Sequence, residues 1–180
     1  MKRHLLLLCT LILLTSGKFF AQTFPLDSTV LVAREVVTDL VLPWDMVWGP
    51  ADKIWFTSRH GYLCRIDPDN PVLDTVHHVA ETYISTVENA GLHALGLHPQ
   101  FPDSPYVYMH YTYDSLKARL TRWRYFPNGD SLGDSLHLIS SMPGARSHNG
   151  SRLVWDLSLI HISEPTRPLY ISYAVFCLKK

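Results

Sequence analysis

Cysteine is scarce, with three in 180 residues. Cys9 sits in an N-terminal apolar run and Cys177 close to the C-terminus, so Cys64 stands alone in the middle of the chain. That excludes an intrachain disulfide framework. Cys64 alternates within an apolar stretch, as a small buried core thiol does. An apolar run long enough to cross a bilayer is missing too. Residues 5–14 form a run of ten, against the roughly 20 that a spanning helix needs. No long stripe of 3.6-residue period occurs, which argues against a helical bundle. Positive charge is also in deficit. Residues 22–156 carry 10 Lys or Arg against 15 Asp or Glu, a formal charge of −5. A chain of that sign is not built to hold nucleic acid or an anionic membrane surface nonspecifically.

What is present begins with Lys2 and Arg3 ahead of the ten-residue run, followed by Thr15, Ser16 and Gly17. This is the layout of a secretory signal peptide, expected over residues 1–21, with cleavage after Gly17 or Ala21. A buried N-terminal helix is the alternative. The product would be secreted or periplasmic, with no membrane attachment after cleavage.

Residues 40–67, LVLPWDMVWGPADKIWFTSRHGYLCRID, read as three short strands at 44–48, 54–57 and 62–66. Turns at Gly49-Pro50-Ala51-Asp52 and Arg59-His60-Gly61 separate them. The pattern returns at 92–97, 106–113, 119–126 and 135–139, and a third unit opens at 151–155. First strands recur at steps of roughly 50 residues, the period of β-propeller blades. Each unit is expected to be three or four antiparallel strands that cannot close a core alone. The alternating tyrosines of YVYMHYTY fit sheet packing. His77, His78, His93 and His98 have no acid or thiol at ligand spacing, so surface or packing roles are expected.

From Leu157 the text changes character. LSLIHISEPTR and ISYAVFCL resemble the translation of two halves of a transposase-type sequencing-library adapter. Pro168-Leu169-Tyr170 stand where an index would lie between them. Residues 157–180 are therefore set aside as an artefactual tail, and His161, Glu164 and Cys177 are given no chemistry.

Three stretches, LPWDMVWGPADKIWFTSRHGYLCRIDP, GLHALGLHPQFPDSPYVYMHYTY and HNGSRL, resemble in order and spacing the N-terminal third of the glucose/sorbosone dehydrogenase family. The likeness covers roughly residues 38–156. It implies an all-β fold, a six-bladed β-propeller in the intact parent, with about two blades and the start of a third here. It further implies oxidation of a sugar hydroxyl with hydride passed to pyrroloquinoline quinone, supported by calcium. The quinone's cations, the calcium ligands and the carboxylate that orients the base come from later blades in that family. The chain alone is thus expected to be inactive.

On that resemblance His148 matches the general base, and imidazole titrates near neutral pH as such a base must. Taken by itself, a His before Asn-Gly fits an ordinary turn residue equally well. Asn89 falls where the family often has Gln or Glu touching the sugar. Ser147 falls where the glucose enzyme has Asp. Asn shortens the reach and Ser removes a charge, so sugar preference does not transfer, and both also suit loop capping. Arg152 is expected to pair locally or cap a strand edge. The alternative to a sugar dehydrogenase is a noncatalytic extracellular propeller that binds carbohydrate or protein. Oligomeric state is not legible.

Overall fold

The computed structural model describes residues 22–85, 88–156 and 173–179. The expected signal peptide and most of the expected tail, His161 and Glu164 included, lie outside the described residues. The chain divides into two units, residues 1–38 and 39–180. In the first, β1 (Gln22–Pro25) and β2 (Val30–Ala33) form an antiparallel hairpin.

Among the described residues the second unit is built from strands apart from one 3-10 turn at Pro50–Asp52. β3 (Pro43–Trp48), β4 (Ile54–Ser58), β5 (Tyr62–Ile66) and β6 (Asp74–His78) make a four-stranded antiparallel sheet in chain order. β7 (Leu92–Leu97), β8 (Tyr106–Asp114), β9 (Lys117–Phe126) and β10 (Ser131–Pro143) make a second one of the same design. β11 (Gly150–Asp156) opens a third unit. These are propeller blades, each a four-strand meander, and the fold is all-β as the strand pattern implies. Gly61 takes φ +91° in the turn between β4 and β5, a conformation that suits glycine.

Blades stack because each sheet is apolar on the face its neighbour covers. On β8, Val107, Met109 and Tyr111 are completely buried toward the first blade, with Leu63, Trp55 and Val76 opposite. Tyr108 on the other face packs with Ala94, Leu120 and Leu153 of β11. Period-2 alternation thus fills two separate cores from one strand. Each Leu- or Val-sized side chain so buried contributes roughly 1.5–3 kcal/mol. The tyrosines of β8 are packing residues, as expected.

β12 (Tyr173–Lys179) pairs in parallel with β11 along its whole length. This segment was set aside on sequence. Its continuous apolar run YAVFCLK meets a strand edge, and unpaired N–H and C=O groups accept an extended segment of that kind. The parallel direction departs from the antiparallel order of the two complete blades.

A buried carboxylate fixes how the blades face one another. Asp45 of β3 is 5% exposed. Its Oδ2 accepts the Leu95 amide of β7 at 3.0 Å. Its Oδ1 accepts the Met46 amide at 2.9 Å and the Arg152 guanidinium of β11 at 2.6 Å. Arg152 is therefore a structural ion-pair residue, but its partner lies 107 positions away rather than nearby. We expect Asp45→Ala to cost about 3 kcal/mol, since a buried strand amide loses its acceptor. Arg152→Ala, at a side chain 60% exposed, should cost about 1 kcal/mol. Urea titration of the two variants checks the order.

Candidate functional site

β3, β7 and β11 are the first strands of their units, and they run side by side in the same direction. The Ala94 amide donates to Ser151 Oγ at 3.2 Å, and Trp155 Nε1 donates to the Leu97 carbonyl at 2.6 Å. Advancing along β7 therefore means advancing along β11. The segments entering these strands share one rim, and the segments leaving them share the other.

The three site candidates from sequence lie on the entering rim. His148 and Ser147 precede β11, and Asn89 precedes β7. The structure joins the two segments that carry them: the Asn149 amide, next to His148, donates to Asn89 Oδ1 at 3.3 Å. His148 is exposed, Ser147 and Asn89 are half-buried, and Asn149 is buried at 8% exposure. His148 has φ 60°, in the left-handed region that few residues other than glycine adopt freely. The Gly150 amide donates to its carbonyl at 3.1 Å.

That conformation is held from below. Asn149 Oδ1 accepts the Ala145 amide at 2.8 Å, and its Nδ2 donates back to the Ala145 carbonyl. One side-chain amide thus closes the loop 145–149 on itself. In the sequence Asn149 is the first half of an Asn-Gly pair, which reads only as a turn signal. Nothing in the pattern marks it as the clamp.

Asn89 is held by a buried histidine. His93 is fully buried, and its Nε2 lies 2.8 Å from the Asn89 carbonyl. A carbonyl only accepts, so Nε2 carries the proton and the ring is the neutral Nε2–H tautomer. Its Nδ1 has no hydrogen-bond partner among the described residues. Trp44 meets the ring edge-on at 4.8 Å, and His110 stacks on it at 5.8 Å. The packing role expected of His93 is present, with the added task of anchoring the Asn89 backbone. His98 packs at the opposite rim against Trp155 and Tyr106.

Gly91 completes the support. A Cβ there would lie 2.2 Å from the Arg59 carbonyl oxygen, so no side chain fits. The Arg59 carbonyl accepts the Leu92 amide at 3.0 Å, and the Arg59 guanidinium donates to the Glu88 carbonyl. The turn after β4 is thereby locked to the segment 88–92.

A match to the family described as Glucose / Sorbosone dehydrogenase covers residues 40–163. The chain belongs to the glucose/sorbosone dehydrogenase family. Quinoprotein glucose dehydrogenase B of Acinetobacter calcoaceticus is 28% identical over 131 residues, which are 67% of this chain and 27% of that protein. An uncharacterised protein of Synechocystis sp. is 34% identical over 151 residues, 76% of this chain and 36% of that one. Among solved structures, the PQQ-bound aldose sugar dehydrogenase of Streptomyces coelicolor superposes with a TM-score of 0.55 at 23% identity. It covers 69% of this chain and 35% of that one. An oxidoreductase of Thermus thermophilus, described as a glucose dehydrogenase, gives 0.52 at 26% identity, covering 62% and 31%. This member of the family thus spans 27% and 36% of the two sequence relatives' lengths.

The buried histidine pair makes a pH prediction. Burial pushes His93 down to about 4, with the Asn89 carbonyl opposing and Arg59 reinforcing the shift. Burial, then the neighbouring His93, pushes His110 down to about 3. Because the folded values lie below the unfolded one, the unfolded chain binds more protons once pH drops below about 6.5. The stability from keeping both rings neutral is complete above that pH and is lost as pH falls toward 4. The slope is about 1.4 kcal/mol per pH unit for each histidine. Urea midpoints at pH 7, 6 and 5 should fall steadily, and His110→Phe should remove about half of that slope.

Proposed function

We propose that this chain is the N-terminal part of an exported sugar dehydrogenase. In this reading the intact parent is a six-bladed propeller that oxidises a sugar hydroxyl and passes hydride to pyrroloquinoline quinone. The observation that carries it is the meeting of Asn89 with the His148 loop on one rim, in a chain of this family. His148 is exposed on that rim, where it can reach a hydroxyl from solvent. It acts as the general base, taking the hydroxyl proton at an imidazole nitrogen as hydride leaves carbon. Asn89 and Ser147 flank it as sugar contacts. Residues 1–21 are the export signal and 157–180 an adapter-derived tail, so the mature domain begins near Gln22.

Quinone chemistry needs more than the described residues offer. The cofactor carries three carboxylates, and the cations on the segments forming this cluster are Arg59 and Arg146. The Arg59 guanidinium is already bonded to the Glu88 carbonyl, and Arg146 is exposed. Two such groups do not make a tricarboxylate site. Among the described residues no three acids, histidines or cysteines gather to hold calcium. Both groups fit this reading only with residues from further blades. Large apolar side chains on the first blade, Met46 at 60% and Trp48 at 63% exposure, support packing by more protein there.

One observation favours a second reading, a noncatalytic propeller that binds carbohydrate or protein. Asn89 Oδ1 is committed to the Asn149 amide, and Ser147 brings no charge. The discriminating experiment uses the parent protein read past codon 156. His148→Ala should lower kcat for sugar oxidation by about 10²–10⁴-fold, with quinone binding, followed by its absorbance, retained. A rate within twofold of the unaltered parent would favour the binding reading. The 180-residue chain alone should show no quinone-dependent oxidation.

A further inference from the structure

We propose that Asn149 is a positioning residue that holds His148 in the geometry from which it removes a proton. The inference rests on the reading of His148 as base. Asn149 is buried while the histidine beside it is exposed, so the two adjacent residues have opposite environments. The Asn149 side chain accepts from the Ala145 amide and donates to the Ala145 carbonyl, using both ends of its amide on a single backbone residue. Its own backbone amide reaches Asn89 Oδ1. A single residue therefore closes the loop that carries the base and ties it to the segment carrying a sugar-contact candidate.

The chemistry depends on that tie. His148 occupies a left-handed backbone conformation at φ 60°, which a non-glycine residue leaves readily when nothing restrains it. Leaving it would swing the imidazole away from the rim. A displacement of about 1 Å is enough to slow such a step by about 100-fold. Only asparagine does this work in full. Asp keeps the acceptor for the Ala145 amide but sets a carboxylate against the Ala145 carbonyl, and Ala keeps neither bond.

The test is a double-mutant cycle on the quinone-loaded parent protein, with hydrogen exchange beside it. Asn149→Ala should lower kcat by about 10- to 100-fold with KM within threefold. Combined with His148→Ala, it should slow the enzyme no further than His148→Ala alone. Hydrogen exchange should speed up at the Ala145 amide, while the buried amides of Leu95 and Met109 keep their protection. If Asn149→Ala does not fold, Asn149→Asp carries the same comparison with a smaller loss. The proposal is overturned if kcat is unchanged, if the two substitutions multiply, or if protection at Leu95 and Met109 collapses with that at Ala145. A His148→Ala enzyme of normal rate would overturn the base reading itself, and the cycle separates that result from the others.

Discussion

The Asp45 carboxylate is the constraint on which the arrangement of blades depends. It lies at the contact of three first strands that share no sheet ladder, and it supplies acceptors to groups from all three. Apolar stacking between blades is strong but does not fix sliding, because one Leu-sized knob suits several neighbouring holes. A charged acceptor facing the Leu95 amide and the Arg152 guanidinium has one register that satisfies both. Thr57 adds to this, donating from Oγ1 to the His93 carbonyl at 2.6 Å and accepting the Asp45 amide at 3.2 Å. The ion pair is half in water, since Arg152 is exposed while Asp45 is not. Its contribution to stability is small next to that of the buried strand amide bonded to the other oxygen of Asp45.

From that register the site follows. If β7 and β11 are aligned start to start, the segments that enter them meet, and Asn89 comes to Asn149 without any contact of its own design. Loops can then carry chemistry because strands have already placed their ends. Beneath the rim a series of polar groups is paired, Gly91 to Thr112, Arg59 to Glu88, His93 Nε2 to Asn89 and Asn149 to Ala145. His148 differs from these in facing solvent. On the proposed reading, a base that takes a proton from an incoming hydroxyl needs its ring toward solvent, and its neighbours are the ones committed to structure.

Much of the fold was legible because alternation is a local signal. Residues 62–66 and 92–97 were read as strands with the bounds the structure has. β6 was missed because Asp74–His78 carries one buried apolar residue, Val76, among polar ones. It is a strand because β5 offers it an edge, and no short-range pattern records that. β10 runs from Ser131 to Pro143 where only 135–139 was read, since three register shifts break its alternation. The hairpin β1–β2 was not read at all. At the site, residue types led to His148, Asn89 and Ser147 through family likeness. The supports Asp45, His93 and Asn149 were not legible. Their roles are contacts across 50, 4 and 60 positions or through backbone atoms, and spacing does not encode those.

Burial on both faces of β8 is the last constraint, and it bears on what a blade needs. The second blade has the first against one face and β11 against the other, and β7 and β8 are accordingly buried along most of their length. The first blade has a covered face and one on which Met46 and Trp48 stay exposed. A propeller blade is apolar on both sides because a ring supplies two neighbours to each. The same sequence pattern that makes Met109 and Tyr108 face opposite cores therefore asks for a further blade wherever only one core is filled. Placing Asn89 and His148 on a common rim needs only two aligned first strands. Enclosing the proposed quinone beside them would take cations from further blades, since the described segments at this rim bring only Arg59 and Arg146.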